Sequence, residues 1–172
     1  MCGISGIISK NQINKSELLG SVEVLAHRGP DGNGTYIATN KQIGFGHSRL
    51  SFIELSDLGK QPFSNEVESL IITFNGEIYN FLELKQELES KGISFQTKTD
   101  TEIILQAYAF WGKEMLSKLK GMFAFAIHDV NKKTVFIARD RFGIKPLYYS
   151  SQNNSFVFGS EIKALLCFCA VK

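Results

Sequence analysis

Apolar positions recur along the chain at two periods. Residues 3–9 form a short, Ile-rich run and read as a strand. Residues 16–26 place Leu18, Leu19, Val22 and Leu25 at helical spacing, with Ser16 as the N-cap. The stretch His27-Arg28-Gly29-Pro30-Asp31-Gly32 breaks that rhythm and reads as a loop. Residues 35–39, 43–50 and 69–74 read as strands, the last two separated by a polar loop with Gly59 and Pro62. Asn80-Phe81-Leu82-Glu83 has the form of a capping box. It opens a helix with Phe81, Leu84 and Leu88 on one stripe and Gly92 as the stop. Thr99-Asp100-Thr101-Glu102 repeats the capping pattern before Ile103, Ile104, Ala107, Tyr108 and Trp111.

The second half turns to strands. Residues 122–127 are apolar without a break, 130–133 are a polar turn, and 135–138 are again wholly apolar. A sheet wetted on one side would alternate polar and apolar positions; these runs do not, so both faces should be covered. Residues 148–150 and 155–158 form a hairpin around Gln152-Asn153-Asn154, and residues 161–168 begin a last helix. Helices at both ends of the order and doubly covered strands predict an α+β fold, a four-layer α/β/β/α sandwich of two antiparallel sheets. A two-layer α+β sandwich satisfies the same periodicity. No internal repeat, linker or low-complexity tract interrupts the chain.

Composition narrows the function. At 172 residues, 44% hydrophobic and 21% charged, the chain has the makings of one cored domain. Nineteen basic against seventeen acidic residues leave a net charge of +2, too balanced for a nucleic-acid binder. Three cysteines are too few, and odd in number, for a disulfide framework. The amino end has no basic, apolar signal-peptide form, and no run of about 18 apolar residues could span a membrane. A cytoplasmic setting is expected. A homo-oligomer is compatible with these features.

Some residues carry candidate chemistry. Cys2 directly follows the initiator methionine, and aminopeptidase trimming would leave a thiol and an α-amine on one residue. Reference pKa values of about 8 for that amine and about 8.5 for the thiol let the amine serve as base for its own sulfur. Taken alone, Cys2 also reads as a small residue opening a buried strand. Gly3 and Gly6 permit close approach at a nucleophile or simply tight packing. Asn75-Gly76, read as lying between a strand and a helix, offers two N–H donors for an oxyanion, or a common turn pair. Arg49 could grip a carboxylate, or stand as a surface cation. Asp100 could hold an ammonium, or face its helix dipole. His27, His47 and His128 share no metal-ligand spacing, and Cys167-Phe168-Cys169 lacks two further ligands. No phosphate-binding Gly-rich loop is present, so no cofactor is expected in this chain.

Together and in order, the motifs become specific. They are Met1-Cys2-Gly3-Ile4-Ser5-Gly6, His27-Arg28-Gly29-Pro30-Asp31-Gly32, His47-Ser48-Arg49-Leu50-Ser51, Phe74-Asn75-Gly76-Glu77-Ile78-Tyr79-Asn80, Thr99-Asp100-Thr101-Glu102, and the segment from Arg139-Asp140-Arg141-Phe142-Gly143 through Ile144-Lys145-Pro146-Leu147-Tyr148-Tyr149. This set resembles the N-terminal glutaminase domain of glutamine-hydrolysing asparagine synthetases, a class II glutamine amidotransferase of the N-terminal-nucleophile hydrolase kind. The resemblance runs from residue 1 to about residue 165.

The resemblance implies the α/β/β/α fold and a set of roles. Cys2 would be the nucleophile after loss of Met1, with its own amine moving the proton. Asn75 and the Gly76 N–H would hold the oxyanion. Arg49, helped by backbone from Leu50 to Ile53, would bind the α-carboxylate of L-glutamine, and Asp100 with Glu77 its α-amine. The loop at 27–32 and the segment at 139–149 would be structural. The partner implied is a synthetase domain or subunit that receives ammonia. ATP and magnesium would belong only to that domain, whose Ser-Gly-Gly-x-Asp-Ser loop is not in this sequence. Residues 1–165 would form the amidotransferase domain, and residues 166–172 an apolar tail leading toward the absent synthetase domain. A silent fragment acting as a binding or regulatory module, and a glutaminase serving a different carboxylate acceptor, are the alternatives.

Overall fold

The computed structural model describes residues 1–51, 57–65, 67 and 69–171. Strands β1 (Gly3–Ser9), β2 (Gly32–Ile37) and β3 (Ile43–Arg49) come first, with helix α1 (Lys15–Glu23) after β1. Next are β4 (Phe63–Ser64), β5 (Leu70–Ile78), α2 (Phe81–Glu89), α3 (Asp100–Trp111) and α4 (Met115–Lys118). The chain ends in β6 (Gly121–Asp129), β7 (Thr134–Arg139), β8 (Tyr148–Gln152), β9 (Ser155–Gly159) and α5 (Ile162–Leu165).

Two antiparallel sheets result, with strand orders β2-β3-β1-β9-β8 and β4-β5-β6-β7. Three apolar layers explain why they stack. Ile4, Phe45 and Phe158 of the first sheet meet Ile71, Ala124 and Ala126 of the second. Leu18 of α1, Leu165 of α5 and Phe168 close over the outer face of the first sheet, against Ile7 and Val157. Ile103, Ile104, Ala107, Leu84, Leu88 and Met115 of α2, α3 and α4 cover the second, against Ile72, Phe74, Phe125 and Ile127. Burying each large aliphatic or aromatic side chain contributes about 1.5–3 kcal/mol. The four-layer α/β/β/α sandwich is therefore the fold, and the unbroken apolar run of β6 has that cause. Ala124 and Ala126 face one sheet while Phe123, Phe125 and Ile127 face the helices.

The helix caps follow the sequence pattern at some ends and depart from it at others. Thr99 caps α3, its hydroxyl accepting from the N–H of Glu102 at 3.3 Å. Gly92 follows α2 with φ +85°, as a C-terminal stop requires. Asn80 precedes α2 but makes no side-chain cap. Its amide instead donates to Lys118 O and accepts from Lys120 N, tying α2 to the segment before β6. The N-cap of α1 is Asn14 rather than Ser16; Asn14 accepts from Ser16 N at 3.0 Å. The closeness of Gly6 serves packing, because a Cβ there would enter the Phe158 ring.

Candidate functional site

Cys2 stands at the amino end of β1, where Gly3 pairs with Ser48 of β3. The thiol meets the end of β3: Leu50 N–H donates to Sγ at 3.4 Å, and the thiol donates to Leu50 O at 3.5 Å. Arg28, in the loop after α1, donates through Nε to Cys2 O at 3.1 Å and through one terminal nitrogen to Glu161 at 2.9 Å. Glu161 also accepts from His27 and pairs with Lys163. Burial works against its charge, but the bonds from Arg28, His27 and Lys163 outweigh it and bring its pKa down to about 2. The 27–32 loop thus anchors the backbone of Cys2.

The opposite wall is the second half of β5, on the side where its pairing with β4 stops at Ile72. N–H groups at positions two apart in a strand point to the same side. Phe74 N donates to Gln61 Oε1 at 2.7 Å, and Ile78 N donates to Asp100 Oδ2 at 3.1 Å. The Gly76 N–H lies between them on that side. On its other side, Phe123, opposite Gly76, spends its own N–H and carbonyl on Asp140. Asn75 is 1% exposed, and its buried Nδ2 has no partner among the described residues. Asn75 and Gly76 therefore lie inside strand β5, not in a connection between strand and helix as their sequence suggested. Nine residues of pairing with β6 override the turn preference of Asn-Gly.

These walls enclose a cavity of about 430 Å³, lined by Met1, Cys2, His47, Arg49, Leu50, Gln61, Asn75, Gly76, Glu77, Asp100, Thr101 and Lys145, among others. That is the volume of a small-molecule site. Cys2, Arg49, Leu50, Asn75, Gly76, Glu77 and Asp100 are all brought together there. Ile53 lies outside the described residues.

The charges in the cavity are tuned by burial. Asp100 is raised to about 6, chiefly by desolvation, with Glu77 adding to the rise and the N–H groups of Ile78 and Thr101 opposing it. His47 is lowered to about 4 by burial, against its bond to Phe74 O, with Arg49 adding to the fall. It is a neutral imidazole, donating through Nε2 at 3.2 Å. Lys145 is also lowered, by burial first and then by Arg28.

Gln61, Thr101, His47 and Lys145 also line the cavity, although the sequence pattern assigned none of them a role at the site. Gln61 links β5 to α3, donating from Nε2 to Thr101 Oγ1 at 3.2 Å. The 139–149 segment is structural in its first half. Asp140 gathers the N–H groups of Phe123, Phe142, Ile144 and Lys145 at 2.9–3.2 Å, and Arg139 donates to Lys145 O. It also delivers the Lys145 ammonium to the cavity. The one signal for that was a lysine inside the otherwise apolar run from Ile144 to Leu147.

Among the described residues, no group of three or more His, Cys, Asp or Glu could hold a metal, and no helix is long and apolar enough to cross a membrane.

Two stacked antiparallel sheets between helical layers, with a cysteine at the head of a central strand, define a class II amidotransferase fold of the N-terminal-nucleophile hydrolase kind. The chain belongs to the glutamine amidotransferase domain family, which matches residues 1–172. It is 44% identical over 171 residues to asparagine synthetase (glutamine-hydrolysing) 1 of Bacillus subtilis, covering 96% of this chain and 27% of that protein. It is 37% identical over 180 residues to the amidase chry2 of Gibberella zeae, covering 98% of this chain and 27% of that protein. Glutamine phosphoribosylpyrophosphate amidotransferase of B. subtilis, solved with ADP and GMP, superposes with a TM-score of 0.81 at 26% identity. That match covers 96% of this chain and 43% of the solved one. The chain spans about a quarter of the length of the two curated relatives.

Proposed function

We propose that this domain hydrolyses free L-glutamine to glutamate and ammonia, with Cys2 as nucleophile once Met1 has been removed. The carrying observation is the buried, unpartnered Nδ2 of Asn75 in the same cavity as the Cys2 thiol. A buried donor without a partner costs about 1–3 kcal/mol. A negatively charged oxygen formed during the reaction would satisfy it, together with the Gly76 N–H.

The steps follow from the groups present. The Cys2 thiol gives its proton to its own α-amine, and the sulfur attacks the side-chain amide carbon of glutamine. Asn75 and Gly76 hold the oxyanion. The amine returns the proton to the departing nitrogen, which leaves as ammonia, and a γ-glutamyl thioester remains. Water adds to the thioester, the thiol leaves, and glutamate is released. Arg49 pairs with the α-carboxylate, and Asp100 with Glu77 takes the α-ammonium. Leu50 N–H steadies the sulfur.

The ammonia passes to a synthetase domain or subunit that amidates a carboxylate in a cytoplasmic setting. ATP and magnesium serve that domain. The relative named an asparagine synthetase favours aspartate as that carboxylate; a different carboxylate is the alternative acceptor.

A second reading has one observation in its favour. Met1 itself lines the cavity, its Sδ accepting from Lys145 at 3.3 Å. A chain that keeps Met1 has no amine on Cys2 and a side chain in the substrate space, and would be a silent module.

Ammonia release from glutamine, measured beside intact mass of the amino end, separates the two. Cys2→Ala abolishes release by the trimmed chain while the melting temperature holds. Turnover surviving in that variant removes Cys2 from its role.

A further inference from the structure

The charges of glutamine are already matched by Arg49 on one side and Asp100 with Glu77 on the other, yet the cavity holds another cation. Lys145 is 5% exposed and lines the same space as Cys2. Its backbone is pinned twice, N–H to Asp140 at 3.0 Å and carbonyl from Arg139 at 2.7 Å, so the side chain enters from a fixed base. Among the described residues its ammonium forms no ion pair; its side-chain partner is the thioether of Met1, a weak acceptor that trimming removes. A buried ammonium without a carboxylate is costly, and such groups cluster where charge is used. Arg28 is a different case, because it is occupied by Cys2 O and Glu161.

We propose that Lys145 is a positioning residue of the glutaminase centre, a fixed positive charge that stabilises the negative charge carried by the attacking Cys2 sulfur and by the tetrahedral intermediate. The inference rests on the glutaminase reading and deepens it. Cys2 at the head of β1 and Glu77 on β5 line the same cavity as the ammonium, and with Arg28 after α1 and Asp140 in its own loop they are the groups whose charge acts on it. Arg28 opposes its charge, while Cys2, Glu77 and Asp140 favour it. Of these, the interaction with Cys2 is the one the reaction would strengthen, since Glu77 and Asp140 gain no negative charge as the sulfur attacks.

The test compares alkylation of Cys2 by anionic iodoacetate and neutral iodoacetamide, read on the amino-terminal peptide by mass. A local positive charge speeds the anionic reagent. Lys145→Met lowers the iodoacetate-to-iodoacetamide ratio roughly fivefold, and Lys145→Arg restores it. Lys113→Met, in an exposed turn after α3, leaves it unchanged. In the glutaminase assay Lys145→Met lowers kcat roughly tenfold with KM within about twofold, and Lys145→Arg recovers most of kcat. If the Met variant fails to fold, Lys145→Gln removes the charge on a polar side chain and is read in the same way. A ratio that ignores the loss of Lys145 in a folded variant overturns the proposal, as does an Arg variant that folds and restores nothing. If wild type releases no ammonia but the ratio follows Lys145, the glutaminase reading falls and the charge at Cys2 stands. If ammonia is released and the ratio ignores Lys145, the reverse holds.

Discussion

The backbone N–H of Ile78 donates to Oδ2 of Asp100 at 3.1 Å, so the carboxylate at the start of α3 caps the end of β5 on the side that β4 does not reach. The bond holds Asp100 at the cavity wall, and burial raises its pKa to about 6. Only the ionised form pairs with the α-ammonium of glutamine. The expected outcome is a kcat/KM for glutamine that falls, below pH 6, about tenfold per pH unit more steeply than protonation of the Cys2 α-amine alone requires, an added limb set by Asp100. Asp100→Asn abolishes that limb and raises KM at least about tenfold. Ammonia release from pH 5 to 8 checks both.

Stability should respond to pH through two opposing groups. His47 has its pKa lowered from 6.5 to about 4, so the unfolded chain takes up its proton first as pH falls. The stability His47 contributes is complete above 6.5 and is lost as pH drops toward 4. Asp100 is raised from 3.8 to about 6, so the cost of its buried charge is complete above 6 and is relieved over the same descent. The two nearly cancel in the wild type. Asp100→Asn leaves His47 uncompensated, and the variant should lose on the order of 2 kcal/mol between pH 7 and pH 5. Urea midpoints at the two pH values report it; a variant as flat as wild type refutes the opposition.

The layered fold was legible because burial on both faces writes itself into sequence. The run from Met122 to Ile127 could not be a one-sided strand, and β6 is indeed sandwiched. Motif order also pointed to seven candidate residues that the structure places in one cavity. What escaped has physical reasons. β4 is two residues long and has no period to detect. Asn75-Gly76 looks like a turn until β6 pairs with it. The capping pattern at Asn80 was real as a pattern, but Lys118 and Lys120 bind the amide first. Gln61 and Lys145 are polar residues far apart in sequence, and only the meeting of β5, α3 and the loop after β7 brings them to one cavity. The burial that holds His47 neutral is likewise a property of the assembled layers.

Asn75 illustrates function at odds with stability. Its amide is buried, and Nδ2 has no partner among the described residues. Asn75→Ala removes the unsatisfied donor, so the melting temperature should hold or rise, offset in part by the small cavity left behind. Catalysis should lose one oxyanion donor, roughly 100- to 1,000-fold in kcat, with KM within a fewfold. Calorimetry and glutaminase kinetics on one preparation decide it. A large fall in melting temperature would mean that Asn75 is structural.

Gly76 tests the same wall through its backbone. A Cβ there would strike the Met122 carbonyl oxygen and lie 2.6 Å from the Phe74 ring and 2.8 Å from Phe123 Cα. Two of these neighbours are backbone of the paired strand, so β5 itself must move. Gly76→Ala should cost about 1–3 kcal/mol through overpacking. Because the N–H aimed at the oxyanion moves with the strand, kcat should fall about a hundredfold more than stability alone explains. Gly20→Ala is the contrast: it lies in α1 with nothing within 4 Å of the added methyl. That change should leave activity intact and add up to about 1 kcal/mol from helix propensity. Equal behaviour of the two variants in thermal melts and ammonia release would remove the close approach at β5 as the reason for glycine there.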